Sequence, residues 1–282
     1  MPVEPITRHR RTASEQRRAP MNAPRRRRVI AVVTTALLAV TGCGTDSPTD
    51  PRPVPVPEPP VAYTHVWSAD PDIDLFGRGA ELVRAAVESG LRTFNYGTKF
   101  TFPGYFDAIG APYDFDHGEV WAHLVRPSRV DPPPWRATYF HHLTMLSAGN
   151  SEITAAVCEY RVKTEPGLNL SFDPMKWVWA VTLRNTVDTP GAAGIPDTDP
   201  EGHDPRAAIA PDWNVFGTWK IVQLRTGGPN WVIPDTCTAW WHERFPTFEL
   251  RDGLLSPPPG FEPPTMPVAQ QYPEWIGPAS AG

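Results

Sequence analysis

The sequence lacks the features that define several large classes of protein. No apolar run among its 282 residues reaches the roughly 18–20 residues of a membrane-spanning helix, which excludes a polytopic membrane protein. Charged residues make up 20% of the chain and hydrophobic residues 40%, so a mainly disordered acidic or basic protein is excluded as well. The sequence also has no GxSxG elbow, no glycine-rich phosphate loop and no HExxH motif. No motif therefore assigns an enzymatic activity.

Positive charge is scarce over most of the chain. Residues 1–42 contain nine arginines and two glutamates, a net charge of +7 within a total of −5. Residues 43–282 therefore contain 17 basic and 29 acidic side chains, a net charge of −12. Nucleic acids and anionic lipids are both bound by basic surfaces. We therefore expect no nucleic-acid partner and no purely electrostatic adhesion to a membrane.

The basic N-terminal segment is organised like an export signal. Arg25–Arg28 form a block of four arginines, and residues 29–41 (VIAVVTTALLAVT) contain no charge. A basic segment, a short apolar core and small residues after it are typical of a secretory signal peptide. We therefore predict that residues 1–42 are a signal peptide. Translation starts either at Met21 or at the beginning of a longer basic leader of the twin-arginine type.

The end of the apolar core carries a short motif. Val40-Thr41-Gly42-Cys43 resembles the lipobox of bacterial lipoproteins, here of the actinobacterial type. The resemblance implies cleavage between Gly42 and Cys43, with diacylglycerol attached to the Cys43 thiol. We therefore expect an exported protein that a lipid on Cys43 anchors to the outer face of the bacterial cell membrane. The alternative is an ordinary signal peptide followed by a chance cysteine.

Proline is unusually abundant, with 36 residues, and it divides the mature chain. Residues 43–61 are rich in proline, which favours extended polyproline II and predicts a tether behind the lipidated cysteine. Residues 257–282 form a proline-rich C-terminal tail that cannot make a regular element. This tail is either disordered or lies along the domain surface through its Phe, Tyr, Trp and Ile side chains. Residues 62–256 are predicted to be a single domain.

Within that domain the hydrophobic period changes from helical to strand-like. Spacings of three and four residues predict an amphipathic helix over residues 82–94 and a short helix near 102–109. Later segments rich in strand formers predict strands over residues 136–147, 153–162, 176–185, 215–225 and 231–233. N-terminal helices followed by a curved antiparallel sheet of four to five strands make an α+β fold.

This element order resembles the NTF2-like fold, in which a curved sheet wraps an N-terminal helix to form a cone. Several exported actinobacterial proteins, including Mce-associated ones, share that design. The resemblance implies that a catalytic member would carry an Asp, or a His–Asp pair, inside the cone. No residue of this sequence matches such a pair by motif, so the catalytic residues stay unassigned.

The cysteines support a structural prediction. With Cys43 assigned to the anchor, only Cys158 and Cys237 remain, one in the second predicted strand and one just past the fifth. Export places them in an oxidising compartment, where disulfides persist. We therefore predict a Cys158–Cys237 disulfide. The alternative is a pair of buried free thiols.

The remaining candidates for chemistry are weak. The segment YDFDHGE groups carboxylates with a histidine, which is either a metal or acid–base site or a solvated loop: Asp114, Asp116, His117 and Glu119. His141 and His142 are adjacent in a predicted strand and must point to opposite faces. Asp197–Gly202 resembles the first half of a calcium loop, but Ala208 replaces the final glutamate. We predict no metal and no cofactor.

Two functional hypotheses from different classes remain. The first is a non-catalytic envelope lipoprotein whose domain binds a partner protein, a lipid or a glycan. The many tryptophans either form such a binding cup or fill the core. The second is a cone-type enzyme, such as an isomerase or dehydratase, that uses one Asp or His as acid–base. A carboxylate and a histidine converging in an apolar pocket would favour the enzyme.

Overall fold

A computed structural model describes residues 57, 63–110, 119–120, 136–164, 177–185, 187, 191–199, 201–226, 232–251 and 254–278. The predicted signal peptide, Cys43 and the tether apart from Pro57 lie outside these ranges, as do Asp114, Asp116 and His117. Within the described ranges, no helix combines the length and the apolar character that crossing a membrane requires.

Three α-helices occur in these ranges: α1 (Arg78–Tyr96), α2 (Tyr105–Ile109) and α3 (Asp235–Arg244). The long strands are β1 (Tyr63–Ala69), β3 (Ala137–Ala148), β4 (Glu152–Lys163), β5 (Trp177–Asn185) and β7 (Trp219–Thr226). Strands of two or three residues are β2 (Glu119–Val120), β6 (Ala207–Ala208), β8 (Glu249–Arg251), β9 (Leu254–Ser256) and β10 (Trp275–Ile276).

The main sheet has the order β1-β3-β4-β5-β7-β2. Strands β3, β4, β5 and β7 form the predicted antiparallel meander, but β1 pairs with β3 in parallel and β2 pairs with β7 in parallel. The fold is therefore α+β, as predicted, with a mixed sheet where an antiparallel one was expected. The first described element is also a strand and not a helix, because residues 63–69 alternate between buried and half-buried positions.

The strands predicted over residues 136–147 and 153–162 pair as the β3–β4 hairpin, and its register shifts near the turn. A β-bulge lies between Thr144 and Ser147, and Met145 has φ = 53° and is 63% exposed. Strict alternation along β3 would place Met145 on the same face as the buried Leu143, and the structure departs from it. The extra residue of the bulge turns the Met145 side chain out to solvent.

The two faces of the sheet are covered by different helices. Helix α1 packs on one face and buries the predicted apolar stripe together with much of its remaining surface. Helix α3 packs on the other face, where residues 231–233 were predicted to be a strand. The chain instead enters α3 directly after Pro234, so Trp240 and Trp241 lie on a helix.

The proline-rich segment after residue 256 is mostly exposed up to residue 270, and its residues 271–276 pack against the domain. Tyr272 donates its N–H to the His65 carbonyl at 3.0 Å, and its own carbonyl accepts from the Trp67 N–H at 2.8 Å. These bonds occupy the outer edge of β1, which would otherwise be open. Strand β10 then pairs with β6 and buries Trp275 and Ile276. Of the two alternatives left open by the sequence, this segment adopts the ordered one.

Candidate functional site

Two histidines on neighbouring strands share a hydrogen bond beneath α1. His65 on β1 and His141 on β3 are buried, and His65 Nδ1 lies 2.9 Å from His141 Nε2. The His141 ring also stacks on the Trp67 indole, with 4.3 Å between ring centroids. Burial lowers the pKa of both histidines, that of His141 to about 3. Both rings are therefore neutral at pH 7, and one donates its N–H to the other.

A buried carboxyl group lies beside this histidine pair. Glu159 on β4 accepts hydrogen bonds from Trp179 Nε1 at 2.8 Å and from Arg161 Nη2 at 3.0 Å. Its Oε2 atom is 3.8 Å from His141 Nδ1, which is too long for a hydrogen bond. Burial raises the pKa of Glu159, and Arg161 opposes that shift. Because the His141 ring is neutral, this contact is not an ion pair.

A second buried carboxyl group connects three parts of the domain. Glu88 on α1 accepts from Trp67 Nε1 at 2.8 Å, from Trp275 Nε1 at 2.9 Å and from Gln271 Nε2 at 3.3 Å. Burial raises the pKa of Glu88, and the nearby Arg84 gives the largest opposing effect. The Arg84 guanidinium itself lies 4.6 Å from the Trp275 ring centroid. Glu88 thus holds α1, β1 and the C-terminal segment together.

These buried groups are not accessible to a substrate. His65, His141 and Glu159 are at most 1% exposed, and they do not line either the pocket beside Arg84 or the groove beside α3. The pocket on the α1 side, next to Arg84 and Trp275, has a volume of about 20 Å³. That is room for about one water molecule. Within the part of the chain that the structure describes, these polar groups therefore belong to the closed interior.

The sequence analysis missed both buried glutamates, although the pattern contained a signal for each. Glu159 occupies a position of β4 that shares its face with the buried Val157, two residues away. Glu88 follows Val87 within the buried part of α1. A charged residue at a core-facing position of a regular pattern is the signal that reveals such groups.

On the opposite face of the same two strands, a serine, a histidine and an aspartate form a hydrogen-bonded chain. Ser68 Oγ on β1 lies 2.9 Å from Nδ1 of His142 on β3, and His142 Nε2 lies 2.9 Å from Asp70 Oδ1. The second carboxylate oxygen of Asp70 accepts from Thr144 Oγ1. Trp240 stacks on the His142 ring at 5.1 Å between centroids. The side chains of His142 and Asp70 are 10% and 24% exposed.

This series of hydrogen-bonded side chains can carry out one chemical step, the transfer of a proton from the Ser68 hydroxyl to His142. When His142 donates its Nε2–H to Asp70, its bare Nδ1 can accept the Ser68 hydroxyl proton, as a general base does for a nucleophile. Ser68 Oγ also lies 3.2 Å from the His141 carbonyl oxygen, which offers the hydroxyl a competing acceptor. His141 and His142 point to opposite faces of the sheet, as their adjacency predicted.

The α3 face is tied to the sheet covalently. Cys158 on β4 and Cys237 in the first turn of α3 form the predicted disulfide, with Cα atoms 5.4 Å apart. Beside it, α3 and the β8–β9 hairpin border an open groove of about 820 Å³. This groove is the largest depression among the pockets described, and no sequence motif pointed to it.

Two carboxylates of the calcium-like segment accept backbone hydrogen bonds. In the predicted calcium-like segment, Asp197 Oδ2 accepts the Glu274 backbone N–H at 2.7 Å, and Asp199 Oδ1 accepts that of Glu201 at 3.1 Å. Among the residues that the structure describes, no group of three or more His, Cys, Asp or Glu side chains could hold a metal ion. Several tryptophans fill the core, as in one of the two interpretations: Trp67, Trp179, Trp219, Trp241 and Trp275.

No protein-family model matches this chain, and comparisons with curated proteins and with solved structures likewise give no match.

Proposed function

We propose that the protein is an exported lipoprotein of the bacterial cell envelope, anchored by a lipid on Cys43. The arginine block, the apolar core and the lipobox-like residues up to Cys43 support this proposal. A disulfide in the domain agrees with an oxidising compartment. Replacing Cys43→Ala is expected to move the protein from the membrane fraction to the soluble or secreted fraction. Unchanged fractionation would contradict the anchor.

The domain, on this proposal, is a non-catalytic binding module built on an NTF2-like plan, with α1 on the concave side of the sheet. The observation that carries this view is the filled interior under α1. In that interior His65 shares a hydrogen bond with His141 and Glu88 accepts one from Trp67, and the pocket on that side has room for about one water molecule. The partner is an envelope protein, with a lipid or glycan ligand as the alternatives, and not a nucleic acid.

A specific observation favours a second candidate, an enzyme that again uses a histidine as acid–base but for acyl transfer from a serine, not for the isomerase or dehydratase chemistry expected from the sequence. The Ser68–His142–Asp70 chain has the hydrogen bonds of a nucleophile, its base and the group that orients the base. In this candidate His142 Nδ1 takes the Ser68 proton as Oγ attacks an acyl carbon. The proton then passes to the leaving group, and water releases the acyl group from Ser68.

A serine-directed fluorophosphonate probe distinguishes the two candidates. A binding module is expected to stay unlabelled, because Ser68 then only links β1 to His142. Labelling of the wild-type domain that is lost in Ser68→Ala and in His142→Phe would establish the second candidate and overturn the first. Ser147→Ala on the exposed end of β3 is the matched control, since it removes a hydroxyl outside the chain of hydrogen bonds.

A further inference from the structure

The groove on the α3 face has an apolar floor. Phe248 and Leu255, only 3% and 7% exposed, are its buried lining residues, and Leu250 on β8 is 63% exposed beside them. Ala239 and Thr238 of α3 complete the uncharged lining. An exposed leucine next to a buried phenylalanine provides a surface on which an apolar side chain can lose its water.

The rim of the groove is acidic. Its charged lining residues are Asp235 and Glu243 of α3 and Glu249 of β8, with His242 as the other titratable group. No lysine or arginine is among the described residues that line it. Arg251 bonds Glu249 at 3.0 Å and offsets that one charge from outside the lining. The remaining field around the floor is negative and attracts a cationic partner.

The walls of the groove are rigidly connected to the sheet. The Cys158–Cys237 disulfide attaches the first turn of α3 to β4. Near the end of α3, Phe245 and Phe248 pack with ring centroids 5.1 Å apart, and Phe248 contacts Phe261 at 4.7 Å. A wall held in this way loses little conformational entropy when a ligand binds.

We infer that this groove binds a basic amphipathic segment of a partner protein, with an apolar side chain on the Leu250–Phe248 floor and lysines or arginines facing Glu243 and Asp235. The inference rests on the proposed binding function and names the surface and the partner chemistry. Anionic lipid is disfavoured because the acidic rim repels its headgroups. A glycan is disfavoured because the exposed apolar side chain in the groove is a leucine and not an aromatic platform.

The test uses a fluorescent amphipathic peptide of leucine and lysine as the probe, with its binding to the purified domain measured by anisotropy. We expect saturable binding that weakens as salt is added. Glu243→Lys and Leu250→Asp should each weaken it by about tenfold or more. The matched controls are Glu262→Lys and Leu254→Asp, which change exposed residues that do not line the groove, and these should leave binding unchanged.

Four outcomes would overturn the inference. They are no saturable binding, groove variants that bind the peptide as tightly as the wild type does, a glutamate-for-lysine peptide that binds as tightly as the original peptide, or a dimer of the free protein that Leu250→Asp dissociates. The last outcome would make a second copy of the chain the occupant. None of these results bears on whether Ser68 reacts with a fluorophosphonate. Failure of the groove inference is therefore distinguishable from failure of the non-catalytic function.

Discussion

The two faces of the main sheet are stabilised in different ways. Under α1 the core is large and continuous, and it encloses polar groups that bind one another, such as Glu88 and the His65–His141 pair. Under α3 the core is a smaller apolar cluster held by the Cys158–Cys237 disulfide. The α1 face is thus closed by packing and buried hydrogen bonds, and the α3 face by a covalent link.

This difference indicates which face is available for binding. Polar groups in a closed interior need partners inside the protein, and Glu88 receives three such donors. The α3 face buries less, exposes Leu250, and borders an open groove. A covalent link allows a small cluster to persist beside an open surface, because it restricts the unfolded chain without requiring more buried area.

Removing the C-terminal segment should cause the largest loss of stability, and the loss should come from the α1 face. A chain that ends after Val268 loses the buried Trp275 and Ile276, the cover of β1 and two of the three donors to Glu88. We expect the free energy of unfolding to fall by about 6 kcal/mol, measured by urea denaturation, with increased dye binding. A chain that ends after Pro278 is the control. Equal stability of the two truncations would show that the segment is a passive spacer.

Removing the disulfide should weaken the α3 face by a similar but smaller amount. The bond closes a loop with a sequence separation of 79 residues. The chain-entropy model gives about 4.5 kcal/mol for a loop of that size. We expect Cys158→Ala with Cys237→Ala to lower the free energy of unfolding by that order, and peptide mapping without reductant to show the linked pair in the wild type. Two free thiols in exported protein would contradict the link.

Local sequence patterns predicted the elements whose signal lies within one continuous segment. The spacing of apolar residues located α1, and segments rich in strand formers located β3 and β4, because both signals lie within one continuous segment. The signal for β1 was present in the alternation of residues 63–69, but its pairing with the distant β3 could not be read locally. The Ser68–His142–Asp70 chain depends on that parallel pairing, which places Ser68 directly opposite His142.

Helix α3 and the C-terminal segment are two parts of the fold that the local sequence did not predict. The α3 sequence DTCTAWWHER offers only one short stripe at helical spacing, Cys237, Trp240 and Trp241, and the disulfide supplies part of its attachment. The C-terminal segment is rich in proline, which opposes regular structure. Its order comes from Trp275 and from backbone bonds to β1, contacts that local propensity does not describe.

Glu88→Gln tests whether the α1 face depends on the charge as well as the shape of its central acceptor. A glutamine keeps one oxygen but places an N–H₂ group against donors, so at least one of Trp67 and Trp275 loses its partner. We expect a loss of about 3 kcal/mol in the free energy of unfolding. Glu152→Gln, which breaks the exposed pair with Arg184, should cost near zero. A small effect at Glu88 would show that its buried bonds are dispensable.

The smallest expected effect is the pH dependence of the α1 face. Burial lowers the pKa of His65 and His141, the latter to about 3, while the unfolded chain takes up protons near pH 6.5. Below pH 6.5 the unfolded state therefore binds more protons, and the free energy of unfolding falls as pH falls. The raised pKa values of Glu88 and Glu159 act with the opposite sign, since the folded state then protonates first.

Comparing variants separates the contribution of the histidines to the pH dependence of stability from the contribution of the carboxyl groups. His65→Phe with His141→Phe keeps the ring stacking and removes both titrating groups together, so neither ring nitrogen is left without its partner. Between pH 6 and pH 5 the wild type should lose roughly 1 kcal/mol per histidine more than this variant, measured by urea denaturation at each pH. Parallel pH profiles for the wild type and the double variant would mean that the buried histidines are already protonated in the folded state, and the closed interior of the α1 face would then contain a charge.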